Sequence, residues 1–129
     1  MQKIKITTDV EKSALTKMII QLFKHWRIPI EDQFDLLGLK LTNFSVLSLY
    51  PYGKPILIGK EQYIRLSLLL RIHKSLRILF ANNKVELYSW MQSKNKAFKN
   101  RTPVQMVKEF GLTGLQIVNS YLDTKVIND

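Results

Sequence analysis

The side chains able to do chemistry are few and scattered. The chain has two histidines, His25 and His73, and no cysteine. The histidines fall on separate helical stretches, with no H-E-x-x-H spacing, and a zinc site needs clustered ligands. Without cysteine there is no disulfide, no thiol nucleophile and no thiolate metal site. His25 reads as a cation at a helix end, where it meets the negative pole, and His73 as a histidine of an apolar stripe. Glu31, Asp32 and Asp35 lie close together at one helix start. General acid–base work needs two carboxyl groups in different environments, whereas neighbouring acids on a helix start suit its positive pole. No glycine-rich phosphate loop is present. The expectation is a protein that is not an enzyme and holds no cofactor and no metal.

What the sequence does carry is charge. Lys and Arg number 20 against 10 Asp and Glu, a net charge of +10. Such an excess favours polyanions or an acidic protein partner. The densest run is "SKNKAFKNR", with Lys94, Lys96, Lys99 and Arg101, and no acid occurs from Trp90 to Val107. Trp90, Phe98, Val104 and Val107 in the same stretch are core types. The pattern reads as a turn fastened by its bulky residues that holds its cations outward. Rim charges of this kind guide encounter and reject wrong partners more than they add affinity.

The spacing along the chain reads as a series of helices. Thr8 and Glu11 form a capping-box signal, and Val10, Ala14, Met18, Leu22 and Trp26 follow at helical spacing. A first helix is expected over residues 9–26. Pro29, Glu31 and Asp32 start a second, which Gly38 ends as a left-handed cap. Thr42 or Asn43 caps a short third helix. The stretch "PYGKPILIG", 51–59, breaks the pattern and marks a lobe boundary. The longest helix is expected over 60–80, with Tyr63, Leu66, Leu69, Leu70, His73, Leu76 and Phe80 on one stripe and Arg65 outside it. "VELYSWMQ" is a short helix, and 94–98 a turn or half-helix. Thr102 and Pro103 cap and start another helix that ends at Gly111. Thr113 is expected to cap the last helix. With 129 residues and 46% apolar side chains, the chain is long enough to bury a core of its own. The fold class is all-α: a compact multi-helix domain divided into parts 1–58 and 59–129. The start of the chain has no apolar signal-peptide region, and "YIRLSLLLRIHKSLRILF" is too interrupted by charge to span a membrane. A cytoplasmic protein with no membrane role is expected.

Glu31 to Tyr50 has a helix-turn-helix arrangement: helix, Gly38, short link, second helix. If the second helix enters a major groove, its leading residues Thr42, Asn43 and Ser45 meet bases, and Lys40 a phosphate. It has no Lys or Arg between Leu41 and Tyr50, so a packing unit that reads no bases fits the same pattern.

Three stretches together resemble the Xre–MbcA–ParS antitoxins of bacterial type II toxin–antitoxin pairs. "FDLLGLKLTNFSVLSLYPYGKPI" is similar to that family's degenerate helix-turn-helix. "IRLSLLLRIHKSLRILF" is similar to its long central helix. "SWMQSKNKAFKNRTPVQMVKEFGLTGLQIVNSYL" looks like its toxin-binding domain, with Trp90, Asn95, Phe98, Thr102, Pro103 and Gly114 where the family's pattern has those types. The resemblance spans roughly residues 25–123 and rests most on the third stretch. It implies an antitoxin that binds and occludes a RES-type, NAD-consuming or ADP-ribosylating toxin, with promoter DNA as a second partner. The toxin-binding residues expected are Lys94, Lys96, Lys99, Arg101, Gln116, Asn119, Ser120 and Asp123; the DNA-binding ones are Lys40, Thr42, Asn43 and Ser45. A homodimer or a toxin–antitoxin hetero-oligomer is expected. The alternative reading is a helix-turn-helix transcriptional regulator with no toxin partner.

Overall fold

The computed structural model describes residues 9–39 and 59–128. Their regular structure is helical: α1 (Asp9–His25), α2 (Ile30–Leu37), α3 (Lys60–Leu79), α4 (Lys84–Ser89) and α5 (Pro103–Asn128). Two 3-10 turns, Trp90–Gln92 and Lys96–Phe98, lie between α4 and α5. The all-α class read from the sequence is the class observed. Among the described residues no helix is long and apolar enough to cross a membrane. The expected third helix and residues 40–58, with Lys40, Thr42, Asn43 and Ser45, lie outside the described residues.

The core is made by apolar residues spaced three and four apart, which is the repeat that keeps side chains on one helix face. Ile19, Leu22, Phe23 and Trp26 of the α1 face are buried, as are Leu66, Leu69, Ile72 and Leu76 of α3. Phe34, Leu36 and Leu37 come from α2, and Val104, Val107, Leu115, Val118 and Leu122 from α5; all belong to one buried cluster. The principal packing partner of both α2 and α3 is α5.

The helix ends follow the local chemistry. Gly38 closes α2 in the left-handed conformation, φ 70°, with its N–H on the Asp35 and Phe34 carbonyls. Pro29 sits one residue before α2, in extended conformation. The Thr102 hydroxyl accepts from Gln105 N–H at 3.0 Å while the Gln105 side chain accepts from Thr102 N–H at 2.8 Å. This reciprocal pair satisfies two donors that the start of α5 leaves free.

Two expectations need correction. Arg65, placed outside the apolar stripe of α3, is 7% exposed. Its Nη1 donates to the Asp35 and Leu36 carbonyls at 3.1 and 3.3 Å, and its Nε to Glu61 at 3.1 Å. The free carbonyls ending α2 attract a cation, and a guanidinium can reach several acceptors at once. Thr113 does not cap the last helix, because it already lies within it. The break falls two residues earlier, at Gly111, with φ 62° and ψ −138°. Those angles belong to a region almost confined to glycine, so the kink needs no side-chain cap at 113.

Candidate functional site

The basic stretch folds into a small closed loop. Asn95 N–H donates to Arg101 C=O at 3.1 Å, in an isolated antiparallel bridge between the two residues. The Asn95 carbonyl accepts from Phe98 and Asn100 N–H, both at 3.0 Å, and its side-chain oxygen from Ala97 N–H at 2.9 Å. Asn95 thus holds the loop from within. To close, the chain passes through left-handed backbone at Lys99 and Asn100, φ 55° and 66°, which asparagine tolerates better than lysine.

Beneath the loop lies an aromatic trio. The Phe98 ring meets Tyr121 edge-on at 5.2 Å, Trp90 meets Phe98 at 6.4 Å, and Trp90 stacks on Tyr121 at 6.2 Å. Such pairs add to the stabilisation from burial alone. They fasten the loop to the second half of α5. Phe98, Val104 and Val107 are buried and Trp90 partly so, as the sequence predicts for the bulky residues.

The kink in α5 brings its two halves together at Gly114. A Cβ there would collide with the Met106 carbonyl oxygen and lie 2.7 Å from its carbon. Only hydrogen fits at this approach. The consequence is an open groove of about 290 Å³ between the loop and α5, lined by Phe98, Lys99, Arg101, Met106, Phe110 and Ile117 among others. Phe110 and Ile117 remain 44% and 43% exposed. They stand on either side of the kink.

The eight residues expected to bind toxin divide into groups. Lys94, Lys96 and Lys99 are exposed and make no ion pair among the described residues. Gln116 and Ser120 are exposed on α5, where spacings of three and four put them beside Thr113 and Ile117 on one face. Arg101 is engaged within the chain: Nε and Nη2 reach the two Glu109 oxygens at 2.6 and 3.0 Å, and its guanidinium lies 5.2 Å from the Phe110 ring centre. The hydrogen bond from Arg101 holds the Glu109 carboxyl below its usual range. Asp123 pairs with Arg71 at 3.0 Å. Asn119 is 5% exposed and turned inward, so it is not part of the open surface; its Nδ2 donates to Asp123 at 3.4 Å. Helix rotation decides this, since 119 shares the face of the buried Leu115 and Leu122.

The expected list omits Phe110 and Ile117. Ile117 carried a readable signal: it is an aliphatic residue off the stripe of Leu115, Val118 and Leu122. Phe110 carried none, because its exposure depends on the break at Gly111.

The histidines lie elsewhere. His25 ends α1 and stacks on Tyr88 at 5.0 Å. His73 is half-buried beside Trp26, ring centres 6.3 Å apart. Burial first, then the Arg77 and His25 charges, push the His73 pKa below its ordinary value. Asp32, in the first turn of α2, pairs with Lys108 of α5 at 2.8 Å. That hydrogen bond, and then the Asp32 charge, raise the Lys108 pKa.

Residues 75–124 match the family described as antitoxin Xre/MbcA/ParS C-terminal toxin-binding domain. Among curated proteins no relative matches the chain. The matched stretch starts in α3 and takes in the closed loop, the aromatic trio, the Thr102–Pro103 start and the Gly114 approach. It does not include the helix-turn-helix-like residues. The family that the sequence resembles and the family whose domain matches are the same: over residues 75–124 the chain has the pattern of the toxin-binding domain of Xre/MbcA/ParS antitoxins.

Proposed function

We propose that the protein is an antitoxin that binds a protein toxin on the face formed by the 95–101 loop and α5, and neutralises it by covering its active site. The observation that carries this reading is the groove at the kink. Phe110 and Ile117 give it an apolar centre and Lys99 and Arg101 a cationic edge, with Lys94 and Lys96 exposed on the same basic stretch. Protein interfaces are built this way, with desolvated apolar anchors inside a polar border. The groove also lies within the segment that matches a toxin-binding domain. Gln116 and Ser120 extend the face, and Arg101 supports it by pinning Glu109 and Phe110. Steric blockade needs no catalytic group, cofactor or metal from the antitoxin.

The resemblance narrows the partner to a RES-type toxin that consumes NAD or transfers ADP-ribose. The test is co-expression with the product of the adjacent gene. The toxin alone should arrest growth, and this protein should relieve the arrest and co-purify with it. Phe110→Asp and Ile117→Asp, both at exposed positions, should abolish rescue with little change in melting temperature. A toxic neighbour unaffected by the wild-type protein, or rescue unchanged in both variants, refutes the reading.

The proposal extends to repression of the protein's own promoter, with Thr42, Asn43 and Ser45 leading the second helix of the helix-turn-helix-like stretch onto bases and Lys40 meeting a phosphate. Lys40→Ala with Asn43→Ala should weaken salt-dependent binding to the upstream DNA. Binding indifferent to sequence and to both substitutions removes this part.

A further inference from the structure

A second open cleft lies away from the groove, where the end of α1 meets α4. We infer that it binds the phosphate backbone of nucleic acid. The cleft is about 530 Å³, with Lys24, His25 and Arg27 on one side and Lys84, Tyr88 and Ser89 on the other. No acid lines it; Glu86, the one acid of α4, is not among its walls.

A helix C-terminus normally repels anions, but here three of the last four carbonyls of α1 are occupied. The Leu22, Phe23 and Lys24 carbonyls accept from Trp26, Ile28 and Arg27 N–H. Gln92 Nε2 donates to both the Trp26 and Arg27 carbonyls at 2.8 Å. Lys24, Arg27 and Lys84 then face the cleft with no acid in its lining. Arg27 is itself held in left-handed backbone, φ 55°. That conformation is unfavourable for a non-glycine residue and persists only where its surroundings over-determine it. The Gln92 clamp does so, and fixes where the Arg27 side chain starts.

The class of ligand follows from the lining. Lys24, Arg27 and Lys84 stand in its walls with no acid among them, and strongly positive surfaces are those of nucleic-acid interfaces. The apolar part of the lining includes Val85 and the stacked His25–Tyr88 pair, whose flat rings suit a sugar or base edge.

The test is fluorescence anisotropy with a short labelled DNA duplex of mixed sequence, across a salt series. The wild type should bind, weakening as salt rises. Arg27→Gly with Lys84→Ala removes two cations while relieving the Arg27 backbone, so the melting temperature should hold or rise. Loss of two phosphate contacts should reduce the salt slope by about 1.8 and the affinity at 0.1 M salt by roughly 60-fold. Lys24→Ala with Lys84→Ala, both at exposed sites, should act in the same direction. Absence of DNA binding by the wild type overturns the inference. So does wild-type affinity in both variants, or loss of binding confined to Lys40→Ala with Asn43→Ala. If polyglutamate binds in a manner sensitive to Arg27→Gly and DNA does not bind, the occupant is an acidic protein and the inference fails. The measurement uses no toxin, so its outcome is separate from that of the toxin-binding reading.

Discussion

Gly114→Ala tests the geometry on which the proposed interface depends. In an ordinary helix interior this substitution is favourable by about 1 kcal/mol, because alanine loses less backbone freedom. Here the added methyl collides with the Met106 carbonyl and lies 3.2 Å from Phe110 Cβ. The obstructing atoms are mainly backbone, so they cannot swing aside as the end of a long side chain would. The halves of α5 must part by on the order of 1 Å to restore ordinary contact. Overpacking typically costs about 1–3 kcal/mol, and a backbone collision belongs at the upper end. The clash therefore outweighs the propensity gain, leaving a net loss of about 2 kcal/mol. At an unfolding entropy near 2.1 cal/mol/K per residue, that lowers the melting temperature of a chain this long by about 7 °C. Circular dichroism at the helix band reads it directly. Gly59→Ala is the comparison: its Cβ meets only the movable end of Gln62 at 2.9 Å, so the loss should stay at or below the roughly 1 kcal/mol of a weakened N-cap of α3. Because Phe110 and Ile117 stand on either side of the kink, Gly114→Ala should also weaken the toxin complex. A variant that melts at or above the wild-type temperature refutes the close approach, and with it this origin of the groove.

Thr102→Ala removes one arm of the reciprocal cap at the start of α5 and should cost about 1 kcal/mol, with faster hydrogen exchange at Gln105 N–H. Arg65→Met leaves the Asp35 and Leu36 carbonyls without their donor. It should lower stability in urea by about 2–3 kcal/mol, and Arg65→Lys should recover only part, because an ammonium lacks the fork that spans all three acceptors. His73 sets a pH dependence. Its folded pKa lies below the ordinary 6.5, so between the two values the unfolded chain holds a proton that the folded one does not. Stability should be full above 6.5 and decline as the pH falls through that window. Melting temperatures measured from pH 7.5 downward should show this, and His73→Leu should flatten it; a rise on acidification contradicts the sign.

Features that depend on near neighbours were legible in the residues themselves. Periodicity of three and four placed α1, α3 and α5. Gly38 announced a left-handed cap, and Thr102 with Pro103 a helix start, because these are local hydrogen-bond and φ preferences. The spacing of Trp90, Asn95, Phe98, Thr102, Pro103 and Gly114 was enough to resemble the domain that residues 75–124 match. Features that depend on contacts far apart in the chain emerged only from the packing of the helices. Arg65 is buried because its partners on α2 lie 29 and 30 residues away. Arg101 is tied down because the closed loop sets it against Glu109, and Asn119 is turned inward by the rotation of α5 against α3. Phe110 and Ile117 form one groove only because Gly111 breaks the helix and Gly114 lets its halves meet. Residue type and spacing specify what a side chain can bond to along its own helix, whereas its exposure and remaining partners are set by whichever distant element packs against it.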